Sequence, residues 1–139
     1  MIMAEAADGP DTFALLSRYG PDLLLLDVKM PGVGRLSTFV KEVARRSPAT
    51  RILVLSGHSE EEVVLEAAIG GAHGYVLKGA PFSDLLSAIE TLVAGGIWVD
   101  PQLPSQVVKA FLHYRVKKPS ELEKLSRQEL RILSLLAQG

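Results

Sequence analysis

Short apolar runs alternate with amphipathic stretches along this chain. Three runs are apolar through their middles without alternation, and they cover residues 22–27, 51–56 and 74–78. Uninterrupted apolar runs of this length are typical of strands that are covered on both faces, as in a parallel sheet. Residues 1–6 are a weaker strand candidate. The three central runs therefore predict adjacent buried strands.

Apolar residues at helical spacing lie between and after these runs. The predicted helices cover residues 11–19, 36–46, 60–69 and 85–94. Gly70-Gly71 ends the third helix and Gly95-Gly96 ends the fourth, while Ser83 or Asp84 is the expected N-cap of the fourth. Alternating strands and helices favour an α/β fold with a doubly wound parallel sheet.

The pattern changes after Trp98. Residues 99–104 predict a turn, residues 105–113 a helix, and residues 115–123 a polar linker. A last amphipathic helix is predicted over residues 125–137, where Ser126 and Glu129 fit a capping box. No element follows that could cover its apolar face, so we interpret it as the start of a second domain.

Composition narrows the class of protein. With 139 residues, 47% of them apolar and 22% charged, the chain can close one hydrophobic core. A net charge of −1 indicates no global positive field for nucleic acid, and the lack of cysteine excludes disulfides and cysteine metal sites. No run is long enough to span a membrane and no signal peptide is visible, so we expect a cytoplasmic protein.

The candidate chemistry lies where the predicted parallel strands end. Asp27, Ser56 and Lys78 close the three central strands. In a doubly wound sheet, ligands bind beyond the carboxyl ends of the strands, so these side chains should meet in one crevice. A carboxylate nucleophile, with a hydroxyl and an ammonium to hold phosphoryl oxygens, indicates a phosphoryl-transfer site.

Four motifs in this order resemble the receiver domains of LuxR/FixJ-type (NarL-like) response regulators of two-component systems. They are Asp27-Val-Lys-Met-Pro-Gly32, Val54-Leu-Ser-Gly57, Gly71-Ala-His-Gly-Tyr-Val-Leu-Lys78 and Ala94-Gly-Gly-Ile-Trp98. Residues 125–139 resemble the first helix of the helix-turn-helix effector domain of that family. The resemblance implies a flavodoxin-like (CheY-like) receiver over residues 1–98, a linker with a helix over 99–123 and a truncated DNA-binding domain over 124–139.

The resemblance also implies a role for each matching residue. Asp27 would be the phosphoacceptor, and Ser56, Gly57 and Lys78 would surround the phosphoryl group. Tyr75 would be the switch aromatic that moves together with Ser56. Phosphorylation would then control dimerisation and DNA binding of a transcription regulator that is not an enzyme.

One departure from the family concerns the front of the receiver and its metal. Family members begin with a strand that ends in two acidic residues, followed by a helix, and residues 1–9 resemble the second strand instead. The acidic pair is absent, so Mg²⁺ would be held by Asp27 and the backbone carbonyl of Lys29, and binding would be weakened. Glu5 and Asp8 are the nearest acidic residues in sequence, without a geometric reason to promote either.

The missing strand would lie between residues 1–6 and the strand that ends at Asp27. Its absence would open two strand edges, which strand exchange, a rearranged N-terminus or a homodimer would heal. The expected partners are therefore a second copy, a sensor histidine kinase, and DNA through the full-length effector domain but not through this fragment. We expect no membrane partner.

Two alternative functions stay open. A pseudo-receiver that works by phosphorylation-independent dimerisation or protein interaction is favoured by the absent acidic pair. A phosphohydrolase of the haloacid-dehalogenase type would also place an Asp after a strand, but it needs a second Asp where this chain has Lys29. His58, His73 and His113 are too isolated to be metal ligands, and we expect loop or surface positions for them.

Overall fold

The computed structural model describes residues 3–6, 9–28 and 35–115. Strands and helices alternate within these ranges. In chain order they are β1 (Met3–Ala6), α1 (Gly9–Tyr19), β2 (Leu23–Val28), α2 (Arg35–Arg46), β3 (Arg51–Ser56), α3 (Glu61–Gly70), β4 (Gly74–Leu77), α4 (Phe82–Val93), β5 (Trp98–Val99) and α5 (Ser105–Arg115). The α/β class and the three central strands predicted from the sequence are confirmed.

The strands form one parallel sheet in the order β1-β2-β3-β4-β5. β1 pairs directly with β2, with Met3 opposite Leu23 and Ala6 opposite Leu26. The sequence predicted that β1 and β2 would each have an unpaired edge where a strand is missing. In the structure these two edges pair with each other. Of the three expected ways to heal the gap, a rearranged N-terminus is the one that this structure contains.

Alternate side chains of the central strands enter two apolar clusters on opposite faces of the sheet. On the first face, Leu24, Ile52 and Tyr75 pack with residues of α1, α2, α3 and α5. On the second face, Leu23, Leu53 and Val76 pack with Ala88 and Leu92 of α4. Helices on both faces explain why the strands have apolar runs without alternation, and this architecture is that of a CheY-like receiver.

The end of the receiver-like pattern differs in detail from the sequence-based expectation. Trp98 and Val99, predicted to precede or begin a turn, form a short strand that pairs with β4. α4 begins directly after Pro81, so the predicted caps Ser83 and Asp84 lie inside the helix. The N-cap position is Pro81, and no side-chain hydrogen bond caps the helix there. Proline suits this position because its missing N–H is one that a helix start leaves unbonded.

Several sequence-based predictions lie outside the described residues. They are the role of Lys29, the acidic Asp8, the loop after Asp27, the linker after residue 115 and the helix over residues 125–137. Across the ranges that are described, no helix is both long enough and apolar enough to cross a membrane.

Candidate functional site at the carboxyl edge of the sheet

Asp27 and Lys78 meet at the carboxyl edge of the sheet, as the sequence led us to expect. Lys78 Nζ lies 2.7 Å from Asp27 Oδ1, with side-chain exposures of 38% and 20%. Asp27 Oδ1 is buried and accepts no aligned hydrogen bond from the described residues, so the ammonium acts on it as a charge. The carboxylate is therefore held in place while keeping an oxygen lone pair for chemistry.

Ser56 lies on the strand between Asp27 and Lys78. It is opposite Val28 of β2, one position beyond Asp27, and its carbonyl oxygen accepts the backbone N–H of Lys78 at 2.8 Å. The side chain is fully buried, and its Oγ accepts the His58 backbone N–H at 3.1 Å. The structure thus places the three predicted residues at one edge of three adjacent strands.

Tyr75 points into the core from β4 and is fully buried. Its hydroxyl donates to the His58 carbonyl oxygen at 2.7 Å. Burial raises the pKa of Tyr75 to about 12, helped by the negative charge of Glu60 and opposed by a hydrogen bond with Ser56. The hydroxyl therefore keeps its proton and acts as a hydrogen-bond donor across the physiological pH range.

Gly57 follows Ser56 in the loop after β3. A Cβ atom added at Gly57 would meet no atom within 4 Å. The backbone here borders open space, which is what the predicted role in admitting a phosphoryl group requires. That role stays a prediction.

The residues at this edge offer a divalent cation one carboxylate. Among the described residues no group of three or more His, Asp or Glu side chains could hold a metal ion. Mg²⁺, however, retains several waters and commonly binds through one or two carboxylates together with phosphate oxygens. The partly exposed Asp27 carboxylate fits such a partial ligand set, and receiver domains generally bind Mg²⁺ for phosphorylation.

Two residues at this edge were not singled out from the sequence. The His58 peptide bonds both Ser56 and Tyr75, while its ring pairs with Glu60 at 3.3 Å. Asp100 is fully buried, and its carboxylate accepts the backbone N–H groups of Leu77 and Gln102, each at 2.8 Å. The bond from the Gln102 N–H to Asp100 closes an Asx-turn. An Asp next to Pro in a predicted turn indicates this bond from the sequence, but not the bond to Leu77.

The amino edge of the same sheet has a different chemistry. Arg51 donates from Nε to the Leu92 carbonyl at 3.0 Å and from Nη2 to the Gly96 carbonyl at 2.6 Å. His73, expected in a loop or at the surface, lies in the loop before β4 but is only 2% exposed, and its Nδ1 accepts the Ile52 backbone N–H at 2.9 Å. Burial, with the charges of Arg51 and Arg115, lowers the pKa of His73 to about 2. The loop position of His73 is as expected, whereas its burial is not, because its imidazole bonds a strand amide.

A parallel sheet with an acid and an amine joined at its carboxyl edge is the arrangement of receiver-type α/β domains. The chain belongs to the response regulator family, since residues 1–90 match the response regulator receiver domain. Within that family it is similar to NarL-like regulators.

Curated relatives and a solved structure agree with this family. The oxygen regulatory protein NreC of Staphylococcus haemolyticus is 32% identical, and NreC of Staphylococcus aureus is 34% identical, each over 99% of this chain. This chain spans 65% of the length of these relatives. The crystal structure of a LuxR-family two-component response regulator from Aurantimonas sp. SI85-9A1 is 29% identical, with a TM-score of 0.65 over 75% of this chain and 74% of that one.

Proposed function

We propose that this chain is the phosphoryl-accepting regulatory region of a two-component transcription regulator, with Asp27 as the acceptor. The observation that carries the proposal is the ion pair of Lys78 Nζ and Asp27 Oδ1 at 2.7 Å, at the carboxyl edge of a receiver-type sheet. It joins a nucleophilic oxygen to a cation that can pair with the product phosphoryl group.

The reaction needs no general base. An Asp27 carboxylate oxygen would attack phosphorus with an existing lone pair and form an acyl phosphate. The bond from phosphorus to the donor would break, and the leaving group would take its electron pair. Lys78 would stabilise negative charge on the transferred oxygens, and the Ser56 hydroxyl would bind one of them after leaving the His58 N–H.

Mg²⁺ is the cofactor of the proposed reaction. It would neutralise charge on the phosphoryl oxygens, with Asp27 as its protein carboxylate and Lys29 as the proposed carbonyl ligand. The absence of a three-residue cluster among the described residues supports weak binding that depends on the phosphodonor. We therefore expect phosphorylation to require a higher Mg²⁺ concentration than a site with several carboxylates.

Ser56 and Tyr75 are the proposed switch. Both bond the peptide of His58, so a Ser56 hydroxyl that turns to the phosphoryl group releases one of the two bonds that fix this loop. The Tyr75 ring then repacks against the core that it shares with α3 and α5. In this proposal the switch alters the surface near those helices.

The proposed partners follow from the family and from the edges of the sheet. A sensor histidine kinase would supply the phosphoryl group, and DNA would be bound through the full-length effector domain, not through this fragment. β1 is one of the two edge strands of the described sheet, a position from which a second copy can add or exchange a strand, which supports a homodimer. The cytoplasmic location of the protein stays a prediction.

The proposal is tested by incubating the protein with acetyl phosphate and Mg²⁺ and measuring its intact mass. We expect a phosphoryl mass increment that EDTA prevents and that Asp27→Asn abolishes. Asp22→Asn, which removes the carboxylate next to the opposite end of the same strand, is the matched control and should keep the increment. An increment that survives Asp27→Asn would show that another residue is the acceptor.

The pseudo-receiver is the second candidate, favoured because the described residues contain no cluster of three His, Asp or Glu side chains that could hold a metal ion. It predicts no phosphoryl increment and no spectral change with beryllofluoride, together with a dimer that forms without phosphodonor. Sedimentation with and without acetyl phosphate separates the two candidates. Turnover of a phosphate monoester in the same samples would instead indicate the hydrolase.

A further inference from the structure

Asp100 ties the segment before α5 to the strand that carries Tyr75 and Lys78. Its Oδ2 accepts the Leu77 N–H at 2.8 Å, and its own N–H donates to the Tyr75 carbonyl at 2.9 Å. Asp100 therefore bonds β4 at two points that bracket its end, immediately before Lys78. With no exposed surface, the carboxylate makes these bonds away from competing water.

The same side chain begins the connection to α5. Asp100 Oδ1 accepts the Gln102 N–H at 2.8 Å, and the Asp100 carbonyl accepts the Leu103 N–H at 3.1 Å. Leu103 is buried in the cluster that also contains Tyr75. One carboxylate thus joins the end of β4 and the start of the segment that leads into α5.

α5 packs on the core next to the switch. Val107 and Phe111 are 2% and 0% exposed and belong to the same cluster as Tyr75 and Val64 of α3. α5 contacts α3, and α3 begins just after the His58 loop that bonds Ser56 and Tyr75. A change at the site can therefore reach α5 through a buried core and through hydrogen-bonded backbone.

We propose that Asp100 is a positioning residue that couples the partner of Lys78 to the packing of α5. This inference rests on the proposed function and deepens it, since it names the element that reads the site. When Lys78 leaves Asp27 for a phosphoryl group, the Lys78 peptide moves with it, and the adjacent Leu77 N–H pulls on Asp100. The carboxylate passes this shift to Gln102 and so to the first turn of α5.

The coupling is measured by residue-resolved amide hydrogen exchange of α5 in the 139-residue chain. Four proteins are compared: wild type, Lys78→Ala, Asp100→Asn and the double variant. Lys78→Ala should change exchange at Val107 and Phe111 by at least about fivefold in the wild-type background, the lower end of typical allosteric coupling. In the Asp100→Asn background the same change should fall to less than about twofold.

A second arm uses acetyl phosphate with Mg²⁺ and reads mass and exchange in the same sample. We expect Asp100→Asn to accept the phosphoryl group while its α5 amides no longer respond, a separation that a purely structural role would not produce. Without a wild-type mass increment the proposed function fails, and the Lys78→Ala arm still reports on the coupling. Asp84→Asn, a carboxylate on α4 with the same chemical change, is the matched control and should leave the α5 response intact.

Two results would overturn the inference. The first is an α5 response to Lys78→Ala that is equal in the wild-type and Asp100→Asn backgrounds. The second is measured in the wild-type background alone and so does not require Asp100→Asn to fold. In it, hydrogen exchange at the Leu77 and Gln102 amides, both bonded to Asp100, must change together with that of α5. If α5 responds while these two amides stay constant, the signal travels by another route.

Discussion

The two ends of the central sheet use charged residues in opposite ways. At the carboxyl edge, Lys78 and Asp27 form a partly exposed ion pair in which neither side chain is fixed by an aligned hydrogen bond between them. At the amino edge, Arg51 donates two hydrogen bonds to carbonyls at the end of α4, and His73 replaces a strand partner. One end can exchange its partner, whereas the other is held by bonds that water does not easily replace.

The carboxyl edge therefore serves function and the amino edge serves stability within one domain. A partly exposed ion pair contributes about 0–1 kcal/mol, so it can open for a phosphoryl group at little cost to the fold. Hydrogen bonds from a charged donor contribute about 1.5–3 kcal/mol each, and the two from Arg51 are partly buried. We therefore expect substitutions at the amino edge to lower the free energy of unfolding. Substitutions at the carboxyl edge should impair phosphoryl transfer with little loss of stability.

The largest expected effect is at Arg51. Arg51→Met keeps much of the aliphatic stem but removes the guanidinium that donates to the Leu92 and Gly96 carbonyls, and should lower the free energy of unfolding by about 2–4 kcal/mol. Urea denaturation measures the change. Arg45→Met removes an exposed arginine and should leave the free energy of unfolding nearly unchanged. Equal losses in the two variants would contradict a stabilising role for the Arg51 hydrogen bonds at the amino edge.

The second effect is a pH dependence from His73. Its pKa is about 2 in the folded protein and ordinarily 6.5, so between these values the unfolded chain binds a proton that the folded chain does not. Stability should therefore fall with pH below about 6.5, by about 1.4 kcal/mol between pH 7.5 and 5.5.

His73→Asn tests the origin of that loss. Asn offers an acceptor oxygen near the position of Nδ1 and does not titrate, so the difference in unfolding free energy between the two pH values should shrink by about 1 kcal/mol or more. His113→Asn, at an exposed position on α5, is the matched control and should retain the wild-type slope. An unchanged slope in His73→Asn would assign the acid sensitivity to other groups.

A smaller effect is expected at the switch. Tyr75→Phe keeps the buried ring but removes the hydrogen bond to the His58 carbonyl, and should lower the free energy of unfolding by about 1 kcal/mol. Thermal melts measure it. Tyr19→Phe, at a half-exposed ring, should change stability by less than about 0.5 kcal/mol. A loss at Tyr19 as large as at Tyr75 would remove the argument for a structural role of the hydroxyl.

The smallest stability effect is expected at Lys78. Lys78→Met should change the free energy of unfolding by less than about 1 kcal/mol, because the ion pair with Asp27 is partly exposed. Phosphoryl transfer from acetyl phosphate, measured by mass, should nevertheless slow strongly because the transferred oxygens lose their cation. A stable variant with wild-type transfer would break the comparison on which the carboxyl edge is assigned.

Local pattern was sufficient for the central strands and for most helices. The runs that end at Asp27 and Ser56 are apolar because both faces of the sheet are covered, and this leaves a direct trace in the sequence. The meeting of Asp27 with Lys78 followed from parallel strands that share one carboxyl edge. These predictions depended on periodicity and topology, which a single sequence carries.

Other features depended on partners that are distant in sequence. His73 looks like an isolated polar residue until Ile52 is placed beside it, 21 residues earlier. The bond from Leu77 to Asp100 spans 23 residues, so only the Asx-turn at Asp100 left a local trace. The direct pairing of β1 with β2 was missed because the family pattern assigns another strand to that place.

The order of the strands has a consequence for how the chain folds. Each described strand pairs only with its neighbours in sequence, so no pairing waits for a distant segment to be made. Each pairing therefore spans only one crossover helix, and it can form before more distant parts of the chain are in place. A nascent chain could therefore add one strand-helix unit at a time to a growing template as it leaves the ribosome, with α5 closing the core last.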